Sequence, residues 1–377
     1  MAIRIFHTAD LHVGMKFTRG YPPEVQEKLI EGRFETLRRM VGMANQRRCD
    51  LFVIAGDLFD HAATPKKDVV RVAETLKEFE GRCVLVLPGN HDAIQKGEEH
   101  LWTRFQGEMS ERTLLLENPS PYDLRRLGAD IVFYPGPCTA KHSGVNAIGW
   151  IRETPKDRTV KYHIGVAHGS LEGFSPDFED KYYPMETSEL LDCGMDLWLL
   201  GHTHTPYPSH PGKNSRIFYP GIPEPDGFDC PHEGTAWILE LGEDRAVNAI
   251  PVSTGTYRFV HDDADVKSSR DLETLKRKYE SADHSRTLAK IKLRGRLPRE
   301  EYATLSQVRR ELESRLFYLG WDEADVAEEI TVEGIQQEFT EGSFPFRLLT
   351  TLAQSDDSEA LQIAYELLQG QREKNKG

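Results

Sequence analysis

The sequence predicts an α/β protein, with a layered β-sandwich core flanked by helices and a smaller C-terminal α+β domain. The first observation is that short apolar runs typical of buried strands alternate with segments of helical spacing. The second is a polar interval near residues 255–270 that separates this alternation from a distinct C-terminal region. The third is the length of 377 residues, which suffices for one large and one small domain.

The strands of the core are predicted from apolar runs of four to eight residues, which suit strands covered on both faces. They are Ile3–Thr8, Leu51–Ala55, Cys83–Leu87, Ile131–Tyr134, Asn146–Trp150, His163–Ala167, Leu197–Leu200, Thr235–Leu241 and Val247–Val252. Two intervening segments, Leu29–Ala44 and Asp68–Phe79, repeat apolar residues at helical spacing and are predicted to be helices. Residues 205–235 are rich in Pro and Gly and are predicted to form loops.

The domains are predicted to span residues 1–255 and 265–377. The second should contain a strand at Leu288–Leu293 and helices near 300–317, 331–340 and 357–369. The last two helices carry apolar faces, which we expect to pack the small domain's own core.

Composition restricts the class of protein. The formal net charge is −14, which argues against a broad nucleic-acid-binding surface. The charge is uneven, however: residues 267–299 hold eleven Lys and Arg against four Asp and Glu, whereas residues 300–377 hold seven against seventeen. Opposite patches are therefore expected.

No secretory signal and no apolar run long enough to cross a membrane is evident, and the five cysteines are scattered without a Cys-x-x-Cys pair. A cytoplasmic protein without membrane association is expected.

Polar motifs follow several of the predicted strands, where ligands collect in open α/β sheets. The side chains that they supply are two carboxylates, one amide and four imidazoles, all suited to metal ions: Asp10, His12, Asp57, Asn90, His168, His202 and His204, with His91 beside Asn90. Residues two apart in an extended segment point to the same face, so Asp10 and His12 can share one metal, and His202 and His204 have the same spacing.

Mixed oxygen and nitrogen ligands without thiolate suit Mn²⁺, Fe²⁺ or Zn²⁺ better than Ca²⁺ or Mg²⁺. Two such ions about 3.5–4 Å apart can activate a nucleophile and neutralise phosphoryl oxygens. Asp57 follows a strand and is positioned to bridge them. With only two carboxylates among the ligands, the loaded site stays positive, as an anionic phosphate ester requires. The motifs thus indicate hydrolysis of phosphate esters.

Three neighbouring residues are assigned by their position. His91 directly follows a ligand and is predicted to be the catalytic residue, which stabilises the transition state or protonates the leaving oxygen. Asp92 is expected to orient its ring. Asp60 is either a partner of a ligand or the N-cap of the following helix.

The motifs IFHTADLHVG, AGDLFD, VLPGNHD, VAHG and LLGHTH resemble those of the calcineurin-like metallophosphoesterase superfamily. Within it the chain is similar to the SbcD-type DNA repair exonucleases, the nuclease partners of SbcC-type ATPases. The later segment YPGIPEPDGF resembles a loop that follows the last ligand in these enzymes, and EITVEGIQQEFTEGSFPFRLL resembles the C-terminal part of bacterial members.

The resemblance implies that one metal is held by Asp10, His12, Asp57 and His204, the other by Asp57, Asn90, His168 and His202, and that His91 is the catalytic histidine. It implies Mn²⁺ as the metal, exonuclease and endonuclease activity on DNA, an SbcC-like coiled-coil ATPase as partner, dimerisation through helices beside the site, and a C-terminal cap that guides DNA. The basic stretch 267–299 is where such a cap would start, unless it is only a solvated surface. Some relatives have His at the position of Asp60, so an added catalytic role there is unsupported.

Two other functions remain open. The first is a phosphodiesterase or phosphatase for nucleotides or phosphoproteins on the same scaffold. The second is an architectural subunit that binds DNA ends and an ATPase with little turnover, which the intact ligand set disfavours.

Overall fold

A computed structural model describes residues 2–18, 20–95, 100–177, 179, 181–280, 282–355 and 357–374. The chain divides into two compact units, Met1–Phe259 and Val260–Gly377. The division falls in the interval that the sequence left between its two proposed domains.

The first unit alternates strands and helices along most of its length, and its strands are numbered in chain order. They are β1 (Ile3–Thr8), β2 (Leu51–Ala55), β3 (Cys83–Leu87), β4 (Thr113–Leu115), β5 (Tyr122–Asp123), β6 (Ile131–Gly136), β7 (Tyr162–His168), β8 (Leu197–Gly201), β9 (Pro206–Tyr207), β10 (Ile217–Pro220), β11 (Thr235–Leu241) and β12 (Val247–Ser253). The helices are α1 (Pro23–Gln46), α2 (Lys66–Lys77), α3 (Leu101–Gln106), α4 (Gly149–Glu153) and α5 (Thr187–Asp192), with a 3₁₀ turn at Arg125–Leu127.

These strands form two six-stranded sheets, ordered β12-β11-β1-β2-β3-β4 and β5-β6-β7-β8-β10-β9. Strands β1 to β4 are parallel to one another, as are β6, β7, β8 and β10, while the outer strands β12, β11, β5 and β9 run antiparallel to their neighbours. The carboxyl ends of the parallel strands therefore lie at one edge of each sheet.

Apolar side chains alternate between the two faces of each strand and produce a layered core. Ile5 and Val53 of the first sheet pack with Phe133 and Ile164 of the second between the sheets. The outer face of the first sheet packs against α1, α2 and α3, and that of the second packs against α4 and α5. The predicted sandwich flanked by helices is confirmed.

One predicted strand is wrong. The segment Asn146–Trp150 pairs with no strand in the described part of the chain, and α4 begins at Gly149. The Asn146 side-chain oxygen accepts from the backbone N–H of Ile148 at 3.3 Å, which favours a turn over an extended chain. The predicted loops at 205–235 also contain β9 and β10, and the polar interval near 255–270 contains β13 (Arg258–Val266). Strand β9 has only two residues and β13 is largely polar, whereas β10 is a short apolar run within a segment rich in Pro and Gly.

The second unit contains β13 (Arg258–Val266, which begins in the first unit), α6 (Ser269–Lys278), β14 (Thr287–Leu297), α7 (Arg299–Glu313), β15 (Tyr318–Glu328), α8 (Val332–Glu338), α9 (Phe344–Ala353) and α10 (Ser358–Lys374). The three strands form one sheet in the order β13-β14-β15, and α7 connects the parallel strands β14 and β15. One face of this sheet packs against α6 and α7. Helices α8, α9 and α10 share a small separate core, as expected for their apolar faces.

The basic residues of β14 are matched by acidic neighbours. Lys292 Nζ lies 2.8 Å from Asp325 Oδ2 on β15, and Arg294 lies 3.4 Å from Asp263 on β13. Much of the positive charge in residues 267–299 is therefore offset within this unit, which the one-dimensional charge count could not indicate.

Among the described residues, none of the helices has the length and apolar character needed to cross a membrane.

Candidate metal centre

The carboxyl ends of five strands bring all the predicted site residues together. Asp10 and His12 follow β1, Asp57 follows β2, and Asn90 and His91 follow β3. From the second sheet, the last residue of β7 and the loop after β8 contribute the remaining imidazoles, those of His168, His202 and His204. Parallel strands on both sheets thus direct their ends to one place, as the motif positions predicted.

The backbone at this edge departs from ordinary strand geometry. Asp10, His12, Asp57 and His202 have φ values of 56°, 47°, 51° and 100°, in the left-handed region. Such conformations cost free energy and persist only where surrounding contacts hold them, which is common at functional sites. Asp10 and His12 therefore lie in a turn and not in the extended segment that their spacing predicted.

Gly56 allows the turn after β2 to approach the end of β7. Its φ is +96°, and a Cβ atom there would lie 2.1 Å from His168 Nδ1. Gly89 makes a similar close approach, because a Cβ atom would lie 2.2 Å from Asp57 Oδ1. The glycines of the two motifs are therefore required by packing around the site residues.

Asp57 lies at the centre of the cluster and is 1% exposed. Its Oδ1 accepts from the backbone N–H of His91 at 2.9 Å. Its Oδ2 lies 3.7 Å from His12 Nε2 and 3.3 Å from His168 Nε2. Burial favours the neutral acid, but the surrounding imidazoles outweigh it and hold the pKa of Asp57 well below its usual range. One carboxylate oxygen thus faces an imidazole from each side, as a bridging ligand would.

His168 is surrounded by acceptors. Its Nδ1–H donates to the Ala55 carbonyl at 2.8 Å, which leaves Nε2 facing Asn90 Oδ1 at 2.9 Å and Asp57 Oδ2. The Asn90 amide nitrogen donates to the Lys141 carbonyl at 3.3 Å, so its oxygen is the atom turned to the ring. Burial alone would lower the pKa of His168, but Asp57 raises it to about 9. This arrangement requires a positive charge, which a bound cation supplies.

The second group of convergent atoms comes from Asp10, His12 and His204, whose ligand atoms lie within 4.8 Å of one another. Asp10 Oδ2 accepts from the His202 backbone N–H at 3.0 Å, while its Oδ1 and His12 Nε2 lack a hydrogen-bond partner among the described residues. Buried polar atoms without partners are costly unless a cation binds them.

His202 lies beside His168, with ring centroids 5.4 Å apart, and is half-buried. Burial, followed by the charge of the neighbouring imidazole, lowers the pKa of His202 to about 3. The ring is therefore neutral at physiological pH and offers a lone pair, as a metal ligand must.

The prediction that Asp92 orients the ring of His91 is wrong. The ring Nδ1–H donates to the backbone carbonyl of Asp60 at 3.1 Å. The Asp92 carboxylate instead accepts from the backbone N–H groups of Phe59 and Gly89, at 2.9 and 2.7 Å. Asp92 therefore stabilises the loop, because a buried carboxylate three residues from a turn N–H binds the backbone in preference to a ring.

The Asp60 side chain contacts the predicted ligand His12 and does not cap α2. Its Oδ1 lies 3.4 Å from His12 Nδ1, whereas α2 begins after Pro65. A carboxylate on the far nitrogen of a ligating imidazole fixes the ring orientation. Asp226 lies similarly near His204, with Oδ2 3.6 Å from Nδ1. The sequence alone did not single out Asp226, which stands in a loop without metal-ligand spacing.

The donor set fits two divalent ions. The acceptors around Asp57 form two groups, one with Asp10, His12 and His204 and the other with Asn90, His168 and His202, joined by the central carboxylate. The ligands are oxygen and nitrogen atoms, which suit Mn²⁺, Fe²⁺ and Zn²⁺.

The sheets, the clustered motif residues and the convergent acceptors define a metal-dependent phosphoesterase. The family model of the calcineurin-like phosphoesterases matches residues 3–206, and the chain belongs to this family.

Three curated relatives match part of the chain. "Uncharacterized metallophosphoesterase YhaO" of Bacillus subtilis is 29% identical over 228 residues, which are 58% of this chain and 52% of the relative. The "DNA double-strand break repair protein Mre11" of Methanopyrus kandleri is 27% identical over 60% of this chain and 50% of the relative. The SbcD component of the SbcCD nuclease of Staphylococcus epidermidis is 22% identical over 77% of this chain and 76% of the relative. The chain thus spans about half the length of the first two.

Proposed function

We propose that this phosphoesterase is a Mn²⁺-dependent DNA exonuclease and endonuclease that acts in DNA repair. The observation that carries the hydrolytic part is the convergence of two groups of acceptors on the buried Asp57. The proposed ligands are Asp10, His12, Asp57 and His204 for one ion, and Asp57, Asn90, His168 and His202 for the other. Fe²⁺ and Zn²⁺ suit the same donors.

The bound ions supply Lewis acidity and an activated nucleophile. The chain supplies the remaining steps. Its buried ligands hold the phosphate-binding edge rigid and exclude water behind it. His91, fixed by the Asp60 carbonyl through Nδ1, presents Nε2 to the substrate. From there it stabilises charge on the phosphoryl group or donates a proton to the leaving oxygen.

DNA as substrate is supported by the names of two relatives, the Mre11 repair protein and the SbcCD nuclease. It is also supported by an aromatic rim beside the site. The Tyr182 ring lies 5.0 Å from that of His202 and 5.1 Å from that of the exposed His142. Aromatic rings next to a phosphate-binding centre suit unstacked bases.

A second candidate function is hydrolysis of small phosphodiesters or phosphate monoesters of nucleotides or phosphoproteins. The observation that favours it is the pairing of Lys292 and Arg294 with acidic neighbours, which leaves less free positive charge for a long DNA track.

We further propose that the protein works in the cytoplasm with an SbcC-like coiled-coil ATPase and forms a homodimer. The ATPase proposal is supported by the acidic charge after residue 300 and by Phe344, Ile363 and Leu367, which are 72%, 52% and 66% exposed on α9 and α10. Exposed apolar side chains on neighbouring helices are typical of surfaces that bind a helical partner. Residues 260–377 are proposed to act as the cap that guides DNA.

The proposal is tested by incubating end-labelled linear DNA and bis-p-nitrophenyl phosphate with the protein and Mn²⁺. The variants His91→Gln and Asp57→Asn serve as controls for the catalytic residue and the bridging ligand. Cleavage of both substrates that needs Mn²⁺ and His91 is expected. Hydrolysis of the small diester alone, even with an SbcC-like ATPase and ATP present, would replace the nuclease by the second candidate.

A further inference from the structure

Arg33 is a buried charge that the proposed chemistry does not use. It lies on α1 and is 1% exposed. Met15 and Phe17 cover it, with Met15 Sδ 3.3 Å from Nη2 and the Phe17 ring centroid 5.3 Å from Cζ. Its Nε has no hydrogen-bond partner among the described residues. A fully buried guanidinium is costly unless its contacts compensate.

The one strong hydrogen bond of this guanidinium reaches the loop that carries two proposed ligands. Nη1 donates to the Leu11 carbonyl at 2.7 Å. Leu11 lies between Asp10 and His12, and both have left-handed backbone conformations. The N–H groups of these two residues are bound by the carbonyls of Gly56 and Asp57 at 3.1 and 3.0 Å. The hydrogen bond from Arg33 on α1 therefore fixes the Leu11 carbonyl, which lies within the same strained turn.

The charge of Arg33 is also related to the partners of the other ligands. Burial lowers the pKa of Arg33, and the carboxylates that oppose this are, in order of size, those of Asp226, Glu224 and Asp60. Asp226 faces His204 Nδ1, and Asp60 faces His12 Nδ1. The two carboxylates that lie beside these imidazoles thus also act electrostatically on the guanidinium.

We propose that Arg33 is a positioning residue of the metal centre, which holds Asp10 and His12 in ligating geometry through its hydrogen bond to the Leu11 carbonyl between them. This inference rests on the ligand set proposed above. It assigns Arg33 to the ion whose proposed ligands are Asp10, His12, Asp57 and His204.

Electrostatic repulsion alone would have the opposite effect on metal affinity. A buried positive charge repels a divalent cation, so its removal would tighten binding if repulsion dominated. Positioning predicts weaker binding, because the carbonyl is left without a donor and the turn can relax. Loss of groups that orient ligands typically weakens metal binding by about 10–100-fold.

The test is a Mn²⁺ titration of the full chain, followed by the electron paramagnetic resonance of free Mn²⁺, with thermal unfolding measured in parallel. The variants are Arg33→Met and Arg33→Lys. Arg39→Met is the matched control, since Arg39 lies on the same helix and contacts the Thr254 carbonyl instead of the ligand loop.

For Arg33→Met we expect one site of normal affinity and one weakened about 10–100-fold. Arg33→Lys keeps the charge but not the forked donor, so its Mn²⁺ affinity should lie between those of Arg33→Met and the parent. Arg39→Met should lower only the unfolding temperature. Unchanged or tighter binding in both Arg33 variants would overturn the inference, and if Arg33→Met does not fold, Arg33→Lys decides alone. If the parent chain takes up no Mn²⁺, the proposed function fails instead.

Discussion

In the proposed mechanism, the residues around Asp57 divide into those that hold ions and those that act on substrate, and His91 belongs to the second group. Its backbone N–H binds Asp57, but its ring is fixed by the Asp60 carbonyl rather than by a ligand. His91→Gln should therefore lower kcat on bis-p-nitrophenyl phosphate by about 10²–10⁴-fold, because proton transfer is lost. Two bound Mn²⁺ per chain should remain. Loss of Mn²⁺ in this variant would identify His91 as a ligand.

Asp60 is expected to act on metal affinity through His12. The variant Asp60→Asn removes the charge that orients the His12 ring, whose Nδ1 lies 3.4 Å away. Mn²⁺ affinity should fall about 10–100-fold, as for other partners of ligating imidazoles. Asp123→Asn is the control, because Asp123 is exposed on the edge strand β5. Calorimetric titration with Mn²⁺ measures the affinity of both variants. Equal affinities would contradict the proposal that Asp60 orients His12.

His7 gives the protein an acid sensitivity that is independent of catalysis. It is fully buried on β1, and burial, partly opposed by a contact with the Leu200 backbone, lowers its pKa from the ordinary 6.5 to about 3. The unfolded chain binds the proton more readily, so stability is complete above pH 6.5 and is lost as pH falls towards the folded pKa. The loss is about 1.4 kcal/mol per pH unit in that window.

His7→Leu should remove this dependence. Urea unfolding at pH 7, 6, 5 and 4 in the presence of EDTA measures the slope, which should be shallower than in the parent by up to about 1.4 kcal/mol per pH unit. His210→Leu, at an exposed loop position, is the control and should leave the slope unchanged. Parallel slopes for His7→Leu and the parent would show that burial does not govern the titration of His7.

At the scale of the elements, the turn between β2 and Asp57 determines whether the two sheets can share a site. Gly56→Ala would place a Cβ atom 2.1 Å from His168 Nδ1 at a φ of +96°. We expect a loss of about 2–4 kcal/mol in the free energy of unfolding, the sum of left-handed strain and overpacking, together with weakened Mn²⁺ binding.

The control is Gly42→Ala on α1, where nothing lies within 4 Å of the added Cβ atom. It should stabilise the protein by about 0.5–1 kcal/mol, because alanine favours a helix interior. Urea unfolding compares both variants, and similar effects at the two positions would argue against a packing role for Gly56.

At the scale of the whole molecule, the ligands and their supports lie in Met1–Phe259, which has its own layered core. A chain of residues 1–259 should therefore fold, bind Mn²⁺ and hydrolyse bis-p-nitrophenyl phosphate. It should lose cleavage of linear DNA if residues 260–377 form the proposed cap. Equal DNA cleavage by the short and full chains would remove the cap from the proposal.

The homodimer proposal also belongs to the whole molecule. Multi-angle light scattering of the full chain should give twice the mass of 42.9 kDa. A single-chain mass across the concentration range would contradict it.

The sequence by itself determined the sandwich core, most of its buried strands and the residues that are candidates for the site. Buried strands such as Leu51–Ala55 and Cys83–Leu87 are uninterrupted apolar runs, and each is followed by polar residues that only a site explains. Local pattern carries that information because both strand burial and turn chemistry depend on near neighbours. Short or polar strands such as β9 and β13 lack such a pattern and were missed.

Only the tertiary structure decided the contacts between distant segments. Asp92 binds the backbone instead of the His91 ring, Asp226 approaches His204, and Arg33 reaches the Leu11 carbonyl from α1. The pairing of Lys292 with Asp325 likewise changed the meaning of the basic stretch. Each of these depends on side chains that are remote in sequence, and their distances are fixed by how sheets and helices pack rather than by local spacing.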